Sequence, residues 1–144
     1  MSAHSSLPAV SSHRILRSRD ITAVACAFSA GVHASLVPEH LHEAPRLGVA
    51  FAGASALLIV LAVALLRWPR SLWPPAGAAL LLAALIAGYA LSRTSGIAPL
   101  GAEREPIDAL GVATKVVEAV GLATAMSCIR ARTPRRLRLV GRRT

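Results

Sequence analysis

This chain is short of acids, of aromatics and of cysteine, and its charges avoid most of its middle. Seven Asp and Glu stand against sixteen Lys and Arg in 144 residues. Between Ile21 and Cys128 lie three long apolar stretches nearly free of charge and a fourth broken only by Lys115 and Glu118. That distribution excludes an ordinary soluble domain, whose charges would be spread over its surface. Aromatic residues make up only 3% of the chain. Soluble cores use aromatics to fill volume, whereas helices in lipid favour small residues that let backbones approach closely. Two cysteines, Cys26 and Cys128, are too few and too deep in apolar sequence for a disulfide framework. Both read as small buried hydrophobes. No P-loop, nucleophile elbow, HExxH or Cys-x-x-Cys pattern occurs. No catalytic residue is assigned, and a non-enzymatic protein is the expectation.

What is present is apolar sequence in lengths of roughly 20 residues, the thickness of a bilayer core in helix. We expect four spans at about 21–38, 47–66, 75–92 and 109–129, forming an all-α, antiparallel up-down four-helix bundle in the membrane. The flanks are a basic tail over 1–20, expected to be disordered, and an arginine-rich tail over 130–144. Pro38 predicts a kink or helix end, since proline removes a backbone donor. Trp68 and Trp73, with Pro69, Pro74 and Pro75, predict a tight connection at headgroup level. Asp108 is a plausible N-cap for the last helix. An alternative reading of 14–34 is a signal peptide cleaved after Ala34. The apolar run continues to Val37, which favours a retained span.

Basic residues cluster at both ends and between spans two and three. Arg14, Arg17 and Arg19 face only Asp20; Arg67 and Arg70 face no acid; the C-terminal tail holds Arg130, Arg132, Arg135, Arg136, Arg138, Arg142 and Arg143. The other two loops hold Arg46, Arg93 and Arg104 against Glu39, Glu43, Glu103, Glu105 and Asp108. Positive-inside reasoning puts both termini in the cytoplasm of a multi-pass protein of the cell inner (plasma) membrane. The tail is expected to meet anionic lipid headgroups, each basic residue adding roughly 1 kcal/mol near the surface. A membrane protein partner or homo-oligomer fits such a chain. Nucleic acid does not, because the sequence offers no folded module or stacking platform for it.

Helix pairing in lipid depends on packing and polar contacts. Small residues recur at four-residue spacing as Ala27-Gly31-Ser35, Gly48-Ala52-Ala56, Ala84-Gly88-Ser92 and Gly121-Ala125. Charges at membrane depth cost about 2.5–3.5 kcal/mol on insertion scales, so Lys115 and Glu118 need partners. Three apart on one helix face, they pair with each other. Ser29, His33 and His40 form a stripe on the first span, and Tyr89 and Arg93 reach the same depth on the third. We therefore expect an outward-facing polar pocket of His33, Tyr89, Arg93, Lys115 and Glu118 between spans one, three and four, with span two mainly lipid-facing or scaffold.

Three uses of that pocket compete: a network that fixes helix register, a metal or haem site, and a proton or small-solute pathway. His33 and His40 lie about 10 Å apart along a helix at 1.5 Å per residue and do not share one ion. A divalent metal instead draws on Glu39, His40, His42 and Glu43 near the surface, helped by Glu103 or Glu105. Haem lacks a facing histidine on another span, and no resident cofactor is otherwise expected. The leading expectation is a transport-related or accessory membrane component; the alternative is a metal-binding or proton-handling protein using His33, His40, Lys115 and Glu118.

The run Gly31-Val-His-Ala-Ser-Leu-Val-Pro-Glu-His40, the segment Leu91-Ser-Arg-Thr-Ser-Gly96 and Glu105-Pro-Ile-Asp108 with the helix through Glu118 resemble an uncharacterised family of small four-span, actinobacterial-type bacterial integral membrane proteins. Its most specific part is the His-x5-Glu-His element containing Pro38. The resemblance covers 30–121, implies the four-span fold and draws attention to His33, Glu39, His40, Arg93 and Glu118. It brings no activity with it.

Overall fold

The computed structural model describes residues 9–96 and 107–132. They form four helices: α1 (Ala9–Glu43), α2 (Pro45–Arg67), α3 (Trp73–Thr94) and α4 (Ala109–Arg132). Each contains a segment long and apolar enough to cross a membrane. Within those segments only 22–39% of residues are buried inside the molecule. Val24, Val49, Val60, Leu80 and Val116 point outward and exposed. An apolar exterior on every helix is what lipid, not water, accommodates. The chain is a multi-pass membrane protein with an all-α bundle.

Contacts fix the helices as antiparallel neighbours. Arg19, low on α1, reaches Leu65 near the end of α2; Thr22 of α1 meets Thr124 of α4 at 2.8 Å. Higher up, Ser29 of α1 reaches Glu118, and Lys115 of α4 approaches Leu85 of α3. α1 is thus the central element, laid along α2 and α4, while α3 packs chiefly on α4.

The sequence terminates these helices in specific ways. Pro74 and Pro75 sit in the first turn of α3, where a missing N–H costs nothing. Gly96, at φ 71°, lies just past the end of α3 in the left-handed conformation that glycine adopts freely. Asp108 caps α4 as expected, its Oδ1 accepting from Gly111 N at 2.6 Å. Two expectations need correction. Pro38 does not end the first helix: α1 continues through it to Glu43, and only Ala44 separates it from α2. Lipid-spanning helices absorb a single lost hydrogen bond when neighbours hold the segment. Nor is all of 1–20 a disordered tail: α1 begins at Ala9, and Arg19 is buried.

Packing tightens toward the end that carries α1's start, the α2–α3 connection and α4's finish. There Ala23, Cys26 and Ala30 of α1, Leu58 and Leu65 of α2, and Ala78 and Leu82 of α3 form one cluster. Glycine marks two close approaches. A Cβ on Gly121 would stand 2.7 Å from the Ala25 Cβ, and one on Gly48 would stand 2.7 Å from the Leu41 backbone N. The first span's small-residue row is a different matter. Ala27, Gly31 and Ser35 are exposed, and the buried face of α1 is instead Thr22, Cys26, Ser29, Ala30 and His33.

Candidate functional site

At the other end of the bundle the helices part. A cavity of about 590 Å³ lies between the α1–α2 pair and the α3–α4 pair. Its α1 wall includes His33, Glu39 and His40, its α3 wall Tyr89 and Arg93, and its α4 wall Thr114 and Lys115. On α1 His33 and His40 stand two turns apart, and on α3 Tyr89 and Arg93 one turn apart, which places each pair on one face.

Glu118 is the centre of the polar network beneath. It is fully buried and accepts at both oxygens. Oε1 takes the Ser29 hydroxyl at 2.6 Å and meets His33 Nε2 at 3.3 Å. Oε2 takes the Lys115 ammonium at 2.6 Å. A buried carboxylate needs this degree of compensation, because desolvating it without partners costs several kcal/mol on the order-of-magnitude scale for ions. Lys115 Nζ also stands 5.5 Å from the Tyr89 ring centroid, and the Arg93 guanidinium lies 4.6 Å over the same ring. Arg93 pairs with Asp108 at 2.8 Å, toward the outer edge. Among the described residues, His33 Nδ1 and Tyr89 Oη are buried polar atoms with no hydrogen-bond partner.

The five residues expected to form the pocket therefore come together, four in the wall and Glu118 below it. The expected role of the second span changes. Leu47, Ala50, Phe51 and Ala54 of α2 line the cavity, and the Phe51 ring packs at 5.3 Å on His33 and 4.8 Å on His40. α2 is a wall as well as a scaffold.

The expected metal set is not assembled. Among the described residues no three His, Cys, Asp or Glu side chains converge as a metal site requires. Because the helix continues through this segment, Glu39, His40 and Glu43 turn toward the cavity while His42 stays exposed outside it. His40 Nδ1 is bonded to its own helix at the Leu36 carbonyl, 2.9 Å away. Glu103 and Glu105, invoked as helpers, fall outside the described residues.

A second polar cluster at the closed end escaped sequence reasoning. Arg19 is 2% exposed and donates to main-chain carbonyls of Leu65, Trp68, Pro69 and Ser71. Arg132, from the end of α4, reaches Pro69 and Ser71 as well. Two guanidinium groups thus cap the C-terminus of α2 and its connection, where helix carbonyls lack partners and the dipole favours cations.

Fold and sites together define a class: a four-helix multi-pass membrane protein, closed at one end by arginine and opened at the other around a polar cavity. No protein family, curated protein or solved structure matches the chain.

Proposed function

We propose that this protein is a non-enzymatic, transport-related or accessory component of the cell inner membrane that takes a small solute into an outward-facing cavity. The carrying observation is the cavity of about 590 Å³ framed by all four helices, within the size range of small-molecule sites. The unpartnered, buried His33 Nδ1 beside it supports binding over pure packing, since buried polar atoms in a structural network are normally paired.

Both termini belong in the cytoplasm on this reading. Arg19, the α2–α3 connection and Arg132 share one end of the bundle, while Glu39, Glu43 and Asp108 line the cavity at the other. The positive-inside rule then orients the cavity outward. The arginine tail beyond Arg132 lies outside the described residues, and anionic headgroups are its proposed partner.

A cysteine placed at Ala54, in the cavity wall, tests both parts. The native chain serves as blank, because Cys26 and Cys128 are buried. A membrane-impermeant maleimide added outside intact cells should label Ala54→Cys and spare the lipid-facing Val60→Cys. Labelling only after the cytoplasmic side is opened reverses the orientation, and labelling from neither side removes the solute cavity.

One observation favours proton handling as a second reading. The His33 ring has one nitrogen at Glu118 and its other nitrogen unpartnered, so it stands between a carboxylate and the cavity. Proton flux into proteoliposomes that disappears in folded His33→Ala and Glu118→Gln would establish it; flux unchanged in both would discard it.

A further inference from the structure

The walls of this cavity also say what kind of molecule fits, on the reading that it binds a solute at all. The two fixed cations of the lining are paired. Lys115 is held by Glu118 at 2.6 Å and Arg93 by Asp108 at 2.8 Å. Glu39 and Glu43 line the cavity nearest the α1–α2 turn and oppose an entering anion. Lys115 and Arg93, both stationed at the Tyr89 ring, are already neutralised by their carboxylates and offer a charged head no spare counter-charge at depth. A neutral head group needs none.

The rest of the lining is largely apolar: Val32 and Leu36 from α1, Leu47 and Phe51 from α2, Leu85 from α3, Leu110 from α4. It offers an acyl-like or isoprenoid-like body the burial it needs.

The unpartnered atoms set the head. Glu118 is already engaged by the Lys115 ammonium and the Ser29 hydroxyl. It therefore accepts from His33 rather than donating, which assigns the proton to Nε2. In the neutral ring Nδ1 is then an acceptor without a donor, and the side chain that carries it is only 7% exposed. Tyr89 Oη, also unpaired, donates or accepts. We infer that the cavity takes a neutral amphiphile with a hydroxyl head, whose O–H donates to His33 Nδ1 while its apolar body lies along Leu36, Phe51 and Leu85.

The test uses the full chain in lipid nanodiscs and follows its thermal unfolding during titration with 1-dodecanol. Undecyl methyl ether has the same number of heavy atoms but no donor; dodecylamine and lauric acid carry the two charges. A cavity-filled variant, Gly88→Leu, controls for general effects of alcohol on the bilayer. Gly88 lines the cavity and a Cβ there meets nothing within 4 Å, so the variant should fold. Saturable stabilisation by dodecanol is expected, with half-saturation about tenfold weaker for the ether, since it leaves Nδ1 unpaired. The amine and the acid should be weaker still, and Gly88→Leu should remove all saturable response. Equal responses to alcohol and ether, both lost in Gly88→Leu, would overturn the hydroxyl head while leaving a solute cavity. A stronger response to the amine or the acid would overturn neutrality. Responses identical in the native chain and Gly88→Leu would overturn the cavity reading itself.

Discussion

The two ends of this bundle both bury positive charge, and they do it with different partners. At the closed end Arg19 is buried against main-chain carbonyls of the α2–α3 connection. At the open end Lys115 is held by a side-chain carboxylate, Glu118, which also binds Ser29 and His33. A carboxylate and its partner can be exchanged together for apolar side chains, whereas no substitution removes a backbone carbonyl. The closed end is therefore built to be permanent. The open end holds a charge pair steadied by Ser29 and His33, beside a space that Lys115 and His33 help to line.

The largest effect is expected from breaking the open-end network on one side. Glu118→Ala leaves the Lys115 ammonium, His33 Nε2 and the Ser29 hydroxyl without their acceptor. Removing one partner of a buried pair costs about 3–5 kcal/mol. Thermal unfolding of purified protein should show it as a clear loss of stability. Replacing both members, Lys115→Met with Glu118→Met, should recover most of that loss, because a buried pair often exchanges for well-packed apolar groups at little cost. A double variant as unstable as the single one would mean that Glu118 serves mainly Ser29 and His33.

Arg19→Met should cost less, about 1–3 kcal/mol, the penalty for orphaning buried acceptors. Arg132 retains part of the cap at Pro69 and Ser71. Amide exchange should rise locally over residues 68–72, with the cavity end unaffected. Arg19→Lys should rescue only in part, since one ammonium cannot reproduce the guanidinium fork over several carbonyls. Exchange rising equally at both ends would erase the distinction between a local clamp and a global core.

This asymmetry also decides what could be read from the sequence. Lys115 and Glu118 stood out because charge is rare in apolar helix, and helical spacing linked Ser29 to His33. Both inferences depend on side chains, which sequence displays. Arg19 looked like one more topology signal, because its partners are carbonyls that every residue has. Phe51 was missed for a similar reason: an apolar residue in an apolar span carries no mark of the face it occupies. At Pro38 local propensity allowed a helix end or a kink, and the surrounding bundle carries the helix on. The fold was legible from hydropathy alone. The cavity's polar members were legible from their chemistry, while its α2 wall and the clamp opposite depended on three-dimensional placement.

The smallest expected effects concern the glycines, and they test where the closed half ends. Gly121 sits at the neck, where an added methyl would press on Ala25 and Leu82. Gly121→Ala should destabilise by about 1 kcal/mol, at the low end of overpacking costs. Gly31, in a row of similar spacing on α1, has nothing within 4 Å of its would-be Cβ. Gly31→Ala should instead stabilise α1 by about 0.5–1 kcal/mol, since alanine loses less conformational freedom in a helix. Opposite signs from the same substitution, read as shifts in unfolding temperature, would place the helix contact at Gly121 and the lipid-facing side at Gly31. A loss of stability at Gly31 would mean that its face is covered by another surface, such as a second copy of the chain.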